Sequence, residues 1–209
     1  MIKSMRIGID LNDVIRDYSG QFKRMYQKFI DSTFDIEDED INTLNFDELY
    51  PFKNKEEYDK FKYIDYPYEI FARAEPVDKF MPFKLNNWLQ VTLRDLEEDK
   101  IPDVMFFSPM EANLTIQASM AFLAKLPSRV REIYFPIDSS TIWDRCDIVI
   151  TANPLLLNNV PDNRTVVKIE MPYNKDIECE YTFKSLLDLI MDEEDKIINL
   201  IENDGNATE

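Results

Sequence analysis

The chain has 209 residues, 44% hydrophobic and 12% aromatic, enough to bury a sizeable core in one domain with room for an inserted subdomain. Its 41 acidic and 24 basic residues give a formal net charge of −17, which repels nucleic-acid backbones and argues against sequence-independent binding to them. There is no histidine, so His-based triads, acid–base pairs and zinc sites are all excluded.

The three glycines, Gly8, Gly20 and Gly205, are scattered, which leaves no Gly-rich phosphate cradle of the Walker or dinucleotide type. The two cysteines, Cys146 and Cys179, form no CxxC motif and read as reduced, buried thiols. "MIKSMRIGID" lacks the long apolar segment of a signal peptide, and no run approaches the ~18 apolar residues of a membrane span. The expectation is a cytoplasmic protein that contacts neither membrane nor nucleic acid. The acidity concentrates in residues 35–48 and in the tail from Asp192, where it reads as solvated surface.

The first predicted element is a buried strand, "MRIGI", over 5–9, ending at Asp10. Val14, Tyr18, Phe22, Met25, Tyr26, Phe29 and Ile30 then recur at helical spacing, with Asn12 or Asp13 as the expected cap. Residues 34–82 change character, with "YPF", "YPY", many aromatics and dense charge, and read as short helices joined by proline turns, one of them around 55–63. Leu85, Trp88, Leu89 and Leu93 mark a helix over 82–96.

Four strand-like runs follow: "DVMFFS" (103–108), "REIYF" (131–135), "DIVI" (147–150) and "TVVKIE" (165–170). A helix is predicted over 112–126, started by "SPME" with Ser108 as its cap. A long C-terminal helix is predicted from about Phe183, with Leu186, Leu187, Ile190, Ile197, Ile198 and Ile201 apolar, and residues 202–209 as a flexible tail. Apolar strands alternating with helices give an α/β fold, a Rossmann-like parallel sheet covered by helices on both faces. Ligands of such sheets sit off the carboxyl ends of the strands, which here carry Asp10, Ser108 and Thr151.

An aspartate at a strand end, turning into a helix, can attack phosphorus while loop N–H groups hold the phosphate oxygens. An acid two residues on can protonate the leaving oxygen and activate water. With "GIDLNDVIRDY" as the opening loop, "YIDYPYEIFARAEPV" (63–77) as a return segment, "VMFFS" ending at Ser108 and "CDIVITANP" after it, the chain resembles the haloacid dehalogenase (HAD) superfamily. Within that superfamily it is most similar to the 5′(3′)-deoxyribonucleotidase branch, which includes phage-encoded members. The likeness spans about residues 5 to 175.

The resemblance implies a HAD-like core over 1–33 and 83–209 and a small helical cap over 34–82, inserted after the first strand and helix. It also implies Asp10 as nucleophile, Asn12 at the acid/base position, and Leu11, Asn12 and Ser108 around the phosphate. Asp10 would be a Mg2+ ligand.

The departures weigh as much as the matches. Asn12 has no proton to give where the family has an acid. Asp13 stands where the family has glycine. Thr151 and Ala152 replace the two metal-binding aspartates. The motif lysine would fall near Thr141, where the base present is Arg145. Asp147 lies roughly 13 Å from Thr151, at the far end of its strand. Asp13, Asp138 and Asn153 remain as unorthodox ligands.

The expected function is therefore that of a deoxyribonucleotidase-like protein that has lost phosphatase activity and serves as a binding or assembly module, with no cofactor. The alternative is an active Mg2+-dependent 5′-nucleotidase using Asp10. Trp88 and Trp143 read as core. Most of the aromatics over 50–71 are expected to pack within the cap, the rest offering a surface to a protein partner or a second copy. A nucleotide remains a possible ligand.

Overall fold

The computed structural model describes residues 5–98, 100–109, 111, 114–127, 132–192 and 196–204. Six strands form one sheet: β1 (Arg6–Asp10), β2 (Asp103–Phe107), β3 (Glu132–Tyr134), β4 (Ile148–Thr151), β5 (Thr165–Ile169) and β6 (Tyr181–Phe183). Their order is β3-β2-β1-β4-β5-β6, and every neighbouring pair is parallel. The chain builds outward from β1 to β3 and then returns to lay β4 on the other side of β1. That reversal leaves a crevice at the carboxyl ends of β1 and β4.

Side chains alternate across the strands and divide the core in two. Ile7, Ile9, Phe106, Ile148, Ile150 and Val167 face the larger cluster, while Met105, Phe107 and Val149 face a smaller one with Trp143 and Cys146. Fully burying each Ile contributes roughly 1.5–3 kcal/mol. Gly8 lies on the smaller face, where a Cβ would meet Cys146 Sγ at 2.8 Å and the Phe107 ring at 3.3 Å. The pair Ile9–Ile150 is in register, so the next residues, Asp10 and Thr151, emerge side by side on one face.

The predicted strand at 5–9 is β1, and the predicted first helix is shorter than expected. α1 spans Tyr18–Phe29, and its cap is Asp17, whose carboxylate accepts the Gly20 N–H at 3.1 Å. A Cβ on Gly20 would lie 2.5 Å from that carboxylate, so glycine is what lets the cap close. Neither Asn12 nor Asp13 caps the helix; both belong to a separate loop, 11–17.

Between α1 and the next long helix lie α2 (Phe46–Leu49), α3 (Lys55–Lys60) and two π-helical turns, Phe61–Asp65 and Tyr68–Ala72. They pack their rings on α1. Phe22 sits 4.8 Å from Phe46 and 5.0 Å from Tyr50, and Tyr26 sits 5.1 Å from Tyr50. Tyr50, Tyr58, Phe61 and Phe71 are buried in this way, whereas Tyr68 is half exposed.

α4 spans Met81–Gln90, with Leu85, Trp88 and Leu89 buried. α5 spans Leu114–Leu123, within the predicted 112–126 helix. α6 (Pro154–Leu157) follows β4 and is capped by Asn153. The single long C-terminal helix is a misreading. Phe183 belongs to β6, and two helices follow, α7 (Leu186–Ile190) and α8 (Lys196–Asp204). Ser185 caps α7, and that cap is the start signal that the apolar periodicity masked. Most of the predicted tail, residues 205–209, lies outside the described residues.

Both cysteines are free thiols, but only Cys146 is buried; Cys179 is partly exposed. No helix among the described residues is long and apolar enough to cross a membrane.

Candidate functional site

The loop 11–17 begins by extending the β1–β2 ladder by one bond. The Leu11 N–H donates to the Phe107 carbonyl at 2.9 Å, and the Leu11 carbonyl accepts the N–H groups of Ile15 and Arg16. Asp13 takes a left-handed conformation, φ 57°, where a glycine would be unstrained and an aspartate is tolerated. Its buried carboxylate accepts the Ser19 N–H at 2.8 Å, the Ser19 hydroxyl, and the Tyr173 hydroxyl at 2.9 Å. Asp13 is thus fully engaged in holding the loop to α1. Burial raises its pKa, with the Ser19 bonds opposing.

Asp10 is almost completely buried. Its Oδ2 accepts the Thr151 hydroxyl at 2.7 Å, and its Oδ1 accepts the Asn12 N–H at 3.3 Å. Desolvation pushes its pKa up to about 7, against the lowering effect of the Thr151 hydrogen bond. At neutral pH a good fraction of Asp10 is therefore protonated.

Asn12 is held by Arg16, whose Nε and a terminal nitrogen both donate to Asn12 Oδ1. The Asn12 amide nitrogen in turn donates to Ser108 Oγ at 3.2 Å. Ser108 donates its one hydroxyl hydrogen to Glu111 Oε1 at 2.6 Å, and Arg16 reaches the same oxygen at 2.9 Å. Arg16 also donates to the Phe71 carbonyl and to Ser119 Oγ, so its guanidinium is enclosed on every side. This is a closed network, Arg16–Asn12–Ser108–Glu111, with a buried ion pair at its centre.

The donor set offers Mg2+ little, since that ion takes near-octahedral oxygen coordination built on one or two carboxylates, and the oxygens here are already engaged. Asp10 offers a buried carboxyl already bonded to Thr151. Ala152 has no side-chain donor, and its carbonyl accepts Asn174 Nδ2. Asn153 Oδ1 accepts the Leu155 N–H. Asp138 caps the turn 139–144 through the Ser140 N–H, and Asp147 binds Arg164 and the Arg6 N–H at the amino ends of the central strands. Among the described residues no three Cys, Asp or Glu side chains converge as a metal cage.

Above Asp10 lies a cavity of about 110 Å³, bounded by Asn12, Tyr18, Lys62, Phe71, Glu111 and Tyr173. Lys62 comes from the first π-helical turn and is half-buried, with its ammonium 3.2 Å from the Tyr58 hydroxyl and within 6 Å of three tyrosine ring centres. Desolvation lowers its pKa to about 8, and Glu111 is the first of the charges acting against that fall. Glu111 Oε2, buried, has no hydrogen-bond partner among the described residues.

With this geometry in view, the solved structures supply a match. A haloacid dehalogenase-like hydrolase from Burkholderia xenovorans superposes with a TM-score of 0.54 at 10% identity, over 92% of this chain and 97% of that one. The chain has a HAD-like fold. No protein-family model matches the sequence, and no curated protein does.

On this HAD-like fold, Asp10, Asn12, Ser108 and Thr151 lie together at the carboxyl ends of the central strands. The Leu11 N–H is engaged in the ladder to Phe107 and its side chain is buried. Ser108 donates to the Glu111 side chain, and the start of the helix it was expected to cap, at 112–113, lies outside the described residues. Neither Thr141 nor Arg145 reaches the crevice: Thr141 Oγ1 pairs with the Tyr134 hydroxyl, and Arg145 lies over the Tyr134 ring beside Glu132.

The site's cations are Arg16 and Lys62, which the motif-based reading missed. For Arg16 the signal was present, since "VIRDY" places a cation in an apolar run four residues after Asn12. Lys62 left no such trace, because only the fold brings residue 62 over residue 10.

Proposed function

We propose that this HAD-fold protein descends from a deoxyribonucleotidase-like phosphatase, has lost the hydrolytic reaction, and uses the crevice at β1 and β4 to bind rather than to cleave. One observation carries the reading: the groups that would perform the chemistry are bonded to one another. Asp10 accepts the Thr151 hydroxyl, and Ser108 gives its hydrogen to Glu111. Asn12 has both ends of its amide occupied, by Arg16 and by Ser108. With an amide at the acid/base position, losing that group alone costs a factor of about 10²–10⁴ in rate. The lack of a metal clamp removes several kcal/mol more of charge stabilisation.

The alternative, an active 5′-nucleotidase using Asp10, requires Thr151 to release the carboxylate when substrate and Mg2+ arrive. Incubation with deoxynucleoside monophosphates and an aryl phosphate, with Mg2+, separates the two. The expected result is no phosphate release above a protein-free control. Mg2+ binding is expected only after Asn12→Asp, Thr151→Asp and Ala152→Asp are combined. Turnover by the unmodified protein that disappears in Asp10→Asn would establish the alternative.

A further inference from the structure

The cavity above Asp10 carries two polar groups that the network below it does not satisfy. Glu111 Oε2 is an acceptor without a donor, on a residue 95% removed from solvent (5% exposed). Lys62 has three hydrogens and one hydrogen bond, to Tyr58. A buried, unpaired carboxylate oxygen is costly unless something fills it, and a charged donor fills it best. An ammonium facing a cavity calls equally for an anionic acceptor. The two groups line the same small space without pairing directly.

The walls between them are largely rings, Tyr18, Phe71 and Tyr173, whose faces attract cations. The space holds on the order of four water molecules, at ~30 Å³ each, or a molecule of similar bulk. A phosphate dianion fits this arrangement poorly. It would place two negative charges beside Glu111 and Asp10, and the Ser108 hydrogen is already given to Glu111. The chain's −17 charge also disfavours the approach of a free anion, but is indifferent to a molecule with no net charge.

We infer that the cavity is a binding site for a small zwitterion of the amino-carboxylate class, its ammonium on Glu111 Oε2 and its carboxylate on Lys62. This rests on the reading that the crevice binds without hydrolysing, and it names the class of ligand. Arg16 binds the other oxygen of Glu111 and fixes its orientation, while Oε2 has no partner among the described residues. The separation of Glu111 from Lys62 selects the chain length between the two ends of the ligand.

The test is calorimetric titration of the full chain with glycine, β-alanine and γ-aminobutyrate, alongside propionate, propylamine and inorganic phosphate. One amino acid of the series is expected to bind with a Kd of about 1 mM or tighter. Propionate and propylamine, each lacking one charged end, are expected to bind at least about tenfold more weakly. Lys62→Met, at a half-buried position, is expected to abolish the carboxylate preference, and Glu111→Gln the ammonium preference. The single-ended ligands test the inference on the unmodified protein, whatever the variants do to folding.

Silence of all three amino acids at saturating concentration overturns the inference, as does phosphate binding as tightly as the best of them. Silence combined with no phosphate release from nucleotides leaves the non-hydrolytic reading standing. Phosphate release sinks that reading whether or not an amino acid binds.

Discussion

The Thr151 hydroxyl donates to Asp10 Oδ2 at 2.7 Å while its oxygen accepts the Asn153 N–H at 3.0 Å. One side chain thereby ties the end of β1 to the turn after β4, at the point where the strand order reverses. The contact is self-contained, because each partner satisfies the other without solvent.

Asp10 gives the protein a specific pH signature. Its pKa is raised from 3.8 to about 7 by burial, so the folded chain holds this proton more tightly than the unfolded chain does. The stabilisation is fully present below about pH 4 and is lost as pH rises through 7, by up to about 4 kcal/mol. Asp10→Asn, which cannot ionise, is expected to gain on the wild type in melting temperature steadily from pH 4 to pH 8. Parallel melting curves across that range would show that Asp10 is not buried as described.

Thr151→Val removes the hydroxyl and keeps the shape. It leaves the Asn153 N–H and Asp10 Oδ2 without their partner and is expected to cost about 1–3 kcal/mol. For a chain of this size that is a fall in melting temperature of roughly 2–4 °C per kcal/mol. The hydrogen bond lowers the Asp10 pKa, so its loss moves the pH window of the preceding experiment upward. Thermal melts of the two variants together check both effects.

Arg16→Met leaves Glu111 buried, charged and without its cation. The expected loss is about 3–5 kcal/mol, among the largest for any single polar change in the chain. Adding Glu111→Gln is expected to recover part of it, since the orphaned charge is gone. A double-mutant cycle by denaturant unfolding measures the recovery, and additivity of the two changes would refute the pairing.

Asn12→Asp alone is expected to leave the protein silent toward aryl phosphates. The new carboxylate faces two Arg16 nitrogens that already converge on Oδ1 of the asparagine, so it enters an ion pair rather than acting as an acid. Its other oxygen loses the donor to Ser108. A steady-state assay with Mg2+ suffices, and any clear rise in rate would show that the arginine does not hold that position.

Phe22→Ala empties the centre of the ring cluster between α1 and the short helices after it. The fully buried ring packs against six other aromatic side chains there, and the expected cost is about 3–5 kcal/mol. Urea unfolding by tryptophan fluorescence reports it, through Trp88 and Trp143 in the core.

The sheet was legible because parallel strands buried on both faces read as short apolar runs, and "RIGID", "DVMFF" and "IVIT" are such runs. β6 was not, because "YTF" is brief, carries an exposed threonine, and abuts an apolar stretch of helical period. The strand-end residues Asp10, Ser108 and Thr151 were legible as a set because their motifs occur in order. What they do for one another was not. The Ser108 hydrogen goes to Glu111, which Arg16 holds from the loop 11–17, and Arg16 is far from both in sequence and meets them only in the fold. Asp13 shows the same limit: its left-handed backbone and its bond to Tyr173, 160 residues away, leave no local pattern.

The guanidinium of Arg16 belongs at once to the strand-end loop, through Asn12, and to the Tyr68–Ala72 turn, through the Phe71 carbonyl. Lys125 on the sheet side repeats the stitch through the Ala72 carbonyl at 2.6 Å. Lifting the roof off the crevice would strand a cation in a dry interior, so the helical segment is riveted in place instead of swinging as a door.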